Sequence, residues 1–572
     1  MRPSAPLVLG CALVLGCGPK QAPEPSVPET TDAGSAQADA NAPPPDVRCG
    51  VQPDGSRSFR VLHLNDVYRI GGLSDGRGGL SRVRTLRAQL QVGCEDGVLL
   101  THAGDMLFPS MLSRVFDGAQ MIDVLNHLDG DGEAFDDQMV AVFGNHEFDK
   151  PAMKYAPMVQ ERVRDSQFAW LDTNITWAEV EGAPAISADN LHKSVLLDVG
   201  GVKVGVFGMT IDNKIPEYAA GIDTDHTAIA REQTRSLRAA GAEVVLALTH
   251  LDANDDDQLL TELGDEGPDA VLGGHDHVLQ SAVIGGRPML KGDADAVRVR
   301  VLDITVGADG AVSWSADQAG VHIGEGLQGD DPGVQTVIDR YMAEFDREFC
   351  GDQPDCLSEQ LTIAKVTLGA EETKIRRFET NLGDWVTDQM RRSFPQADVA
   401  VINSGALRLN QDVPAGQPVT RGTVEAIFAY PARMHLIEID GATLEQVLQR
   451  SVSGWTGQGH WLQVSGVVFR QDSEAEAVSD IHLQTADGLV PLDKSAKYKL
   501  VTVRYLLDPE MGDQDGYTML SLSQQVDAEN NGTDLKPQVL DALRTMGEAG
   551  FAPKREGRIC NAQESGAPCL LE

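Results

Sequence analysis

Positive charge is scarce in this sequence. Its 572 residues carry 47 lysines and arginines against 86 aspartates and glutamates, a formal charge of −39. That balance excludes a binder of nucleic-acid polymer, because such binding rests on a basic stripe that neutralises phosphates. An anionic substrate must instead be met locally, by cations and a few arginines. Runs such as Asp255-Asp256-Asp257 read as solvated acidic surface. Long apolar runs are missing as well. Leu7–Leu15, with Arg2 before it, is too short to span a bilayer and reads as the apolar part of a secretory leader. No other window spans a membrane. Cysteine is sparse too: beyond Cys11 and Cys17 there are only Cys49, Cys94, Cys350, Cys356, Cys560 and Cys569, none with metal-ligand spacing. An even set in an exported chain favours disulfides. Closeness in sequence suggests Cys350–Cys356 and Cys560–Cys569, leaving Cys49–Cys94.

What is present suffices for a large core, with 42% apolar and 23% charged residues. The chain is too long for one domain. The leader ends in Val14-Leu15-Gly16-Cys17, which resembles a bacterial lipobox whose cysteine, Cys17, becomes the lipidated first residue. This implies an exported protein of the outer membrane or cell envelope, touching the membrane only through a lipid anchor; plain secretion is the alternative. Residues 18–57, rich in Pro, Ala and acidic side chains, read as a disordered tether.

From Arg60 to about Val306, β-rich runs alternate with helical patterns such as Leu80–Leu90 and Thr227–Ala239, which indicates an α/β fold. Gly324–Gly329 matches GxGxxG but runs into Asp330 and Asp331 without a surrounding βαβ unit, so it reads as a loop. Asp331-Pro332 then supplies a helix cap and first position, with Val334, Val337, Ile338, Tyr341, Met342 and Phe345 on one face. The expected domains are 58–328, a connector helix at 329–358, a second domain at 359–560 and a tail at 561–572.

One arrangement recurs in the first domain. Asp66, Asp105, Asn145, His250, and His275 with His277 each follow an apolar run. In an α/β sheet the crevice lies beyond the carboxyl ends of the strands, so these side chains point to one place. Carboxylate, carboxamide and imidazole together suit Zn, Mn or Fe. Two such ions, bridged by Asp105, can activate a water for displacement at phosphorus. His146 and Asp149 lie three apart, so the imidazole can protonate a leaving oxygen while the carboxylate sets its tautomer.

The motifs Asn65-Asp66, Gly104-Asp105, Gly144-Asn145-His146-Glu147-Phe148-Asp149, Leu248-Thr249-His250 and Gly273-Gly274-His275-Asp276-His277 resemble those of the 5′-nucleotidase family of calcineurin-like metallophosphoesterases. The resemblance implies an N-terminal β-sandwich flanked by helices and a mixed α/β C-terminal domain that binds the nucleoside. One ion would be held by Asp66, Asp105 and His277, the other by Asp105, Asn145, His250 and His275, with His146 and Asp149 as the catalytic pair. Where the family commonly has histidine, Tyr68 stands. Its phenol either ligates, which favours trivalent iron, or lines the pocket while water fills the ligand position. In the second domain the matching residues are Arg376, Asn403, Arg408, Tyr430, Gly466, Tyr505 and Asp515: arginines for phosphate or ribose, tyrosines flanking the base, and a carboxylate for the ribose hydroxyls. The implied activity is removal of phosphate from nucleoside 5′-monophosphates. Alternatives are 2′,3′-cyclic nucleotides or UDP-sugars as substrates, and a nucleotide-binding surface protein of weakened catalysis.

Overall fold

The computed structural model describes residues 49–572 except 180–184, 214, 354, 455–458, 510, 511, 513, 514, 527, 562 and 565. The leader, Cys17 and most of the tether lie outside the described residues.

The first domain is built on two sheets laid face to face. In one, Arg57–Leu64, Val98–His102, Met139–Val142 and Ala169–Leu171 run parallel in that order, with Arg298–Val306 antiparallel on the outer side of Arg57–Leu64. In the other, Val202–Thr210, Val244–His250, Ala270–Gly273 and Arg287–Lys291 are parallel neighbours. Val61, Leu99, Val140 and Val142 from the first sheet meet Val204, Val206, Leu246, Leu248 and Leu272 from the second in a shared core. Parallel strands covered on both faces carry nearly unbroken apolar runs, and every residue of Val244–His250 is buried.

Helices close the outer faces. Leu80–Gln91, Ala119–Asn126, Ala156–Asp165 and the first part of Pro332–Cys350 cover the first sheet through Leu86, Leu90, Met121, Ile122, Val159, Val334 and Ile338. His226–Ala239 and Ala253–Leu263 cover the second through Ala230, Leu237, Leu259 and Leu260. The result is a helix–sheet–sheet–helix sandwich, as the family resemblance implies. The Asp331 carboxylate accepts the N–H groups of Gly333 at 2.9 Å and Val334 at 3.0 Å, which starts the helix at Pro332. Gly324–Gly329 is a loop packed on Gly76.

The second domain has its own core, around a sheet ordered Met434–Asp440, Lys497–Val503, Val399–Asn403, Leu462–Ser465. Helix Asn381–Ser393 lies on that sheet, its start capped by the Thr380 hydroxyl accepting from Gly383 N–H at 3.1 Å. The disulfides are Cys49–Cys94, Cys350–Cys356 and Cys560–Cys569. Among the described residues, no helix is long and apolar enough to cross a membrane.

One buried histidine ties the two sheets of the sandwich. His63 takes Thr101 Oγ1 at 3.0 Å on Nδ1 and reaches the Gly273 carbonyl, in the opposite sheet, at 2.9 Å from Nε2. Burial, only partly offset by that carbonyl, lowers its pKa from 6.5 to about 4. In the second domain, burial and then Arg450 lower that of His460 likewise to about 4. The unfolded chain therefore binds these protons first. Stability from neutral His63 and His460 is complete above pH 6.5 and falls as pH drops toward 4, by roughly 3 kcal/mol for each. In denaturant titrations of chelator-treated protein, His460→Gln is expected to flatten the fall between pH 6.5 and 4 by about that amount.

Candidate metal centre and substrate cleft

Five strands from both sheets end at one place. His250 is the last residue of its strand, and the other candidate ligands lie within four residues of a strand end. At Asp66, Asp105, His275 and His277 the backbone is left-handed, with φ of 53°, 58°, 78° and 63°. Each such residue costs on the order of 1–3 kcal/mol and persists only where its surroundings force it, typically at functional sites.

The side chains form two clusters that share one carboxylate. In the first, ligand atoms of Asp66, Asp105 and His277 lie within 4.8 Å of one another, with His277 Nε2 3.2 Å from Asp66 Oδ1. In the second, His250 Nε2 is 3.3 Å from both Asp105 Oδ2 and Asn145 Oδ1, and His275 Nδ1 is 3.1 Å from Asn145 Oδ1. Asp105 stands between them. Tyr68 Oη joins the first cluster, 3.1 Å from Asp105 Oδ2 and 2.9 Å from His277 Nε2. These oxygen and nitrogen donors suit hard or borderline divalent cations. The loops crowd so closely that a Cβ on Gly144 would stand 2.2 Å from Asp105 Oδ1.

Electrostatics agree with cation binding. Burial pulls the His250 imidazole down, but Asp105 and then Asp66 outweigh it and raise the pKa to about 9. His277 is likewise raised to about 10 against burial, by Glu372 and Asp66. Buried carboxylates hold protons on both rings, and cations would take over that neutralising role. The Tyr68 phenol stays protonated, through burial and then Asp105 and Asp66.

A second set of residues fixes the first. The buried Glu147 carboxylate accepts backbone N–H groups from Asp105 at 2.9 Å, Met106 at 2.7 Å, Leu107 at 3.0 Å and Gly144 at 2.5 Å, locking two ligand loops together. His250 Nδ1 donates to the Ala103 carbonyl at 2.6 Å, which leaves Nε2 free for a metal. Lys291, 1% exposed, donates to the carbonyls of Leu251 at 2.7 Å and Gly274 at 2.9 Å and pairs with Asp256 at 2.9 Å and Asp276 at 2.6 Å. It thereby pins the loop that carries His275 and His277. Sequence reasoning assigns no role to Glu147, Lys291 or Glu372. A lysine closing the apolar strand Arg287–Lys291 was the one available signal.

His146 sits beside the shared carboxylate: its N–H donates to Asp105 Oδ1 at 2.7 Å, and its Nδ1 is 2.9 Å from Asp149 Oδ1. The Tyr430 hydroxyl, from the second domain, donates to the other Asp149 oxygen. Arg408 lies with its guanidinium carbon 5.9 Å from the Tyr430 ring centre, and its Nε donates to the Gly405 carbonyl at 2.6 Å. Arg376 is paired with Glu372, and Tyr505 with Asp515. Asn403 Oδ1 is buried with no partner among the described residues, an acceptor available to a ligand.

Gly466 does not join this group. It follows strand Leu462–Ser465, whose Leu462 pairs with Asn403 and whose Ser465 pairs with Ala400, so Gly466 sits at the end of the sheet away from Asn403. Its φ of 82° and a Cβ position 2.1 Å from the Asp398 carbonyl oxygen account for the glycine without a ligand.

The calcineurin-like phosphoesterase family model matches residues 59–279, and that of the 5′-nucleotidase C-terminal domain matches residues 362–521. The chain belongs to the 5′-nucleotidase family of calcineurin-like phosphoesterases. It is 22% identical over 561 residues to the trifunctional nucleotide phosphoesterase protein YfkN of Bacillus subtilis, covering 91% of this chain but only 36% of that longer protein. It is 23% identical to the snake venom 5′-nucleotidase of Naja atra, covering 88% of this chain and 99% of the relative. The crystal structure of the 5′-nucleotidase precursor from Thermus thermophilus shares the fold at a TM-score of 0.72 and 21% identity, covering 89% of this chain and all of that one. As a member of this family the chain is a metallophosphoesterase, and its family uses divalent metals.

Removing Lys291 would strand Asp256 and Asp276. Lys291→Met is expected to destabilise the protein by roughly 3–5 kcal/mol, read by urea denaturation, and to loosen the His275–His277 loop.

Proposed function

We propose that the protein is an exported 5′-nucleotidase that removes phosphate from nucleoside 5′-monophosphates. The observation that carries this reading is the pair of ligand clusters sharing Asp105 and facing Arg376, Arg408, Tyr430 and Tyr505 from the second domain. Asp66, Asp105 and His277 would hold one divalent ion, and Asp105, Asn145, His250 and His275 the other. Such a pair supplies Lewis acidity toward phosphoryl oxygens and acidifies the attacking water.

The chain's own residues do the rest. Arg408 can fork onto phosphate or ribose oxygens, and Arg376 adds a second fixed cation. His146 donates the proton that the departing ribose 5′ oxygen requires, while Asp149 accepts its Nδ1–H and stabilises the imidazolium. Tyr430 offers a ring face to the base, and its hydroxyl steadies Asp149; Tyr505 offers the other face and Asp515 takes the ribose hydroxyls. Stacking tolerates any base, since each has a π face. Three disulfides, together with the similarity to a venom protein, support export. The phosphoesterase part is assigned to residues 58–328 and the nucleotide-binding part to 359–560, joined by the helix within 329–358.

Tyr68 lines the first cluster as a neutral phenol, a weaker donor than imidazole. Tyr68→His is therefore expected to tighten binding of the ion at Asp66, Asp105 and His277, read as a lower dissociation constant in chelator competition.

Hydrolysis of a panel of nucleoside monophosphates, 2′,3′-cyclic nucleotides and UDP-sugars, followed by separating the nucleotide and nucleoside products, tests the substrate. Monophosphates should be hydrolysed fastest, and excess chelator should abolish hydrolysis until Mn or Zn is restored. Undiminished turnover in chelator would refute the two-metal reading. His146→Asn should lower kcat by about 10²–10⁴-fold with little change in KM.

A further inference from the structure

Glu372 belongs to the second domain but lies against a candidate metal ligand of the first. It opens the short helix Glu372–Ile375, whose start is already capped: the Glu371 carboxylate accepts the N–H of Thr373 at 3.2 Å and of Lys374 at 3.1 Å. Glu372 is therefore not needed as a cap, and its side chain turns inward. The residue is 7% exposed, with Oε1 2.9 Å from His277 Nδ1 and an ion pair to Arg376 one turn later. On its other ring nitrogen, His277 faces Asp66 Oδ1 at 3.2 Å. A carboxylate buried at a domain boundary is unfavourable unless it is paired. This one is paired on both sides, with an imidazole of one domain and a guanidinium of the other.

We propose that Glu372 is a positioning residue for the first metal ion, supplied across the domain boundary. By accepting the Nδ1–H of His277 it fixes the tautomer and turns Nε2 toward Asp66 and Asp105, as a carboxylate behind a metal-bound histidine does. Because the same carboxylate holds Arg376, the metal ligand and the arginine assigned to phosphate share one support. This inference rests on the metal assignment made above and adds that retention of the first ion depends on the second domain.

The test uses the full chain. Mn²⁺ affinity is measured by competition with a fluorescent chelator for wild type, Glu372→Ala, Glu372→Gln and the neighbouring Glu371→Ala, and thermal unfolding is recorded in excess chelator. Glu372→Ala should weaken one of two ions by about 10–100-fold and leave the other within about twofold. Glu372→Gln, which keeps an acceptor oxygen but loses the charge, should fall between. Glu371→Ala should lower the metal-free unfolding temperature and leave both affinities unchanged. Wild-type affinity for both ions in both Glu372 variants would overturn the proposal, as would equal weakening of both ions together with loss of the metal-free fold. Should Glu372→Ala not fold, the nearly isosteric Glu372→Gln decides. A wild type that binds a single ion would defeat the two-metal reading alone, because its ratio to Glu372→Gln at that ion still measures this role.

Discussion

Two carboxylates, Asp66 at 0% exposure and Asp105 at 1%, are buried side by side, and that burial is the constraint on which the site depends. Like charges in a low dielectric repel, and each loses its hydration, so the pair is tolerable only if positive charge comes with it. In the protein alone, nearby imidazoles supply it despite the burial: His277 and then His250 hold Asp66 below its ordinary range, and His250 and then His146 hold Asp105 well below it. The same demand suits the site to cations, which would take over the neutralising role of the ring protons. Net acidity elsewhere on the chain does not interfere, because the attraction is set by groups a few ångströms apart rather than by the surface field.

Holding these groups together requires the backbone to bend where side chains resist bending. Left-handed conformations at Asp66, Asp105, His275 and His277 are sustained by partners that leave no slack. Glu147 gathers four N–H groups from two loops, Lys291 ties the Gly274 carbonyl and Asp276 of a third loop to the Leu251 carbonyl and to Asp256 of the helix Ala253–Leu263, and the His63 ring ties the sheets beneath. Each of these is a buried charge or polar ring fully occupied on several sides. Such groups fix one arrangement, because any rearrangement leaves a charge unpaired.

How much of this was legible in the sequence depends on the range of the interaction. Strand ends carrying Asp105, Asn145 and His250 could be read because apolar runs and polar punctuation are local, and the cap at Asp331-Pro332 could be read for the same reason. That the strands divide into two facing sheets was implied by the family resemblance; periodicity is silent on it, since strands buried on both faces alternate nothing. Gly466 shows the opposite failure. The family resemblance places it among the second-domain residues matched to substrate binding, but a positive φ and a crowded Asp398 carbonyl already require glycine there. Glu372 was invisible because its partner lies 95 residues away in the other domain, and no local pattern distinguishes it from an ordinary first-turn acid.

Several contacts between the domains are made at the candidate metal centre itself. Besides Glu372 on His277 and Tyr430 on Asp149, Arg69 donates to the carbonyls of Arg408 at 2.9 Å and Leu409 at 2.8 Å while pairing with Asp295, and Asp295 in turn accepts the N–H of Tyr68 at 3.0 Å. The loop bearing Asp66 and Tyr68 is thus tied directly to the segment bearing Arg408. Polar contacts of this kind contribute little to stability where solvent reaches them and much to geometry where it does not. Here they lie beside buried carboxylates, so a small shift of the second domain displaces the partners of His277, of Asp149 and of the Arg408 segment together. The two domains are therefore coupled at the candidate metal centre itself, where the second domain completes the surroundings of the first domain's charges.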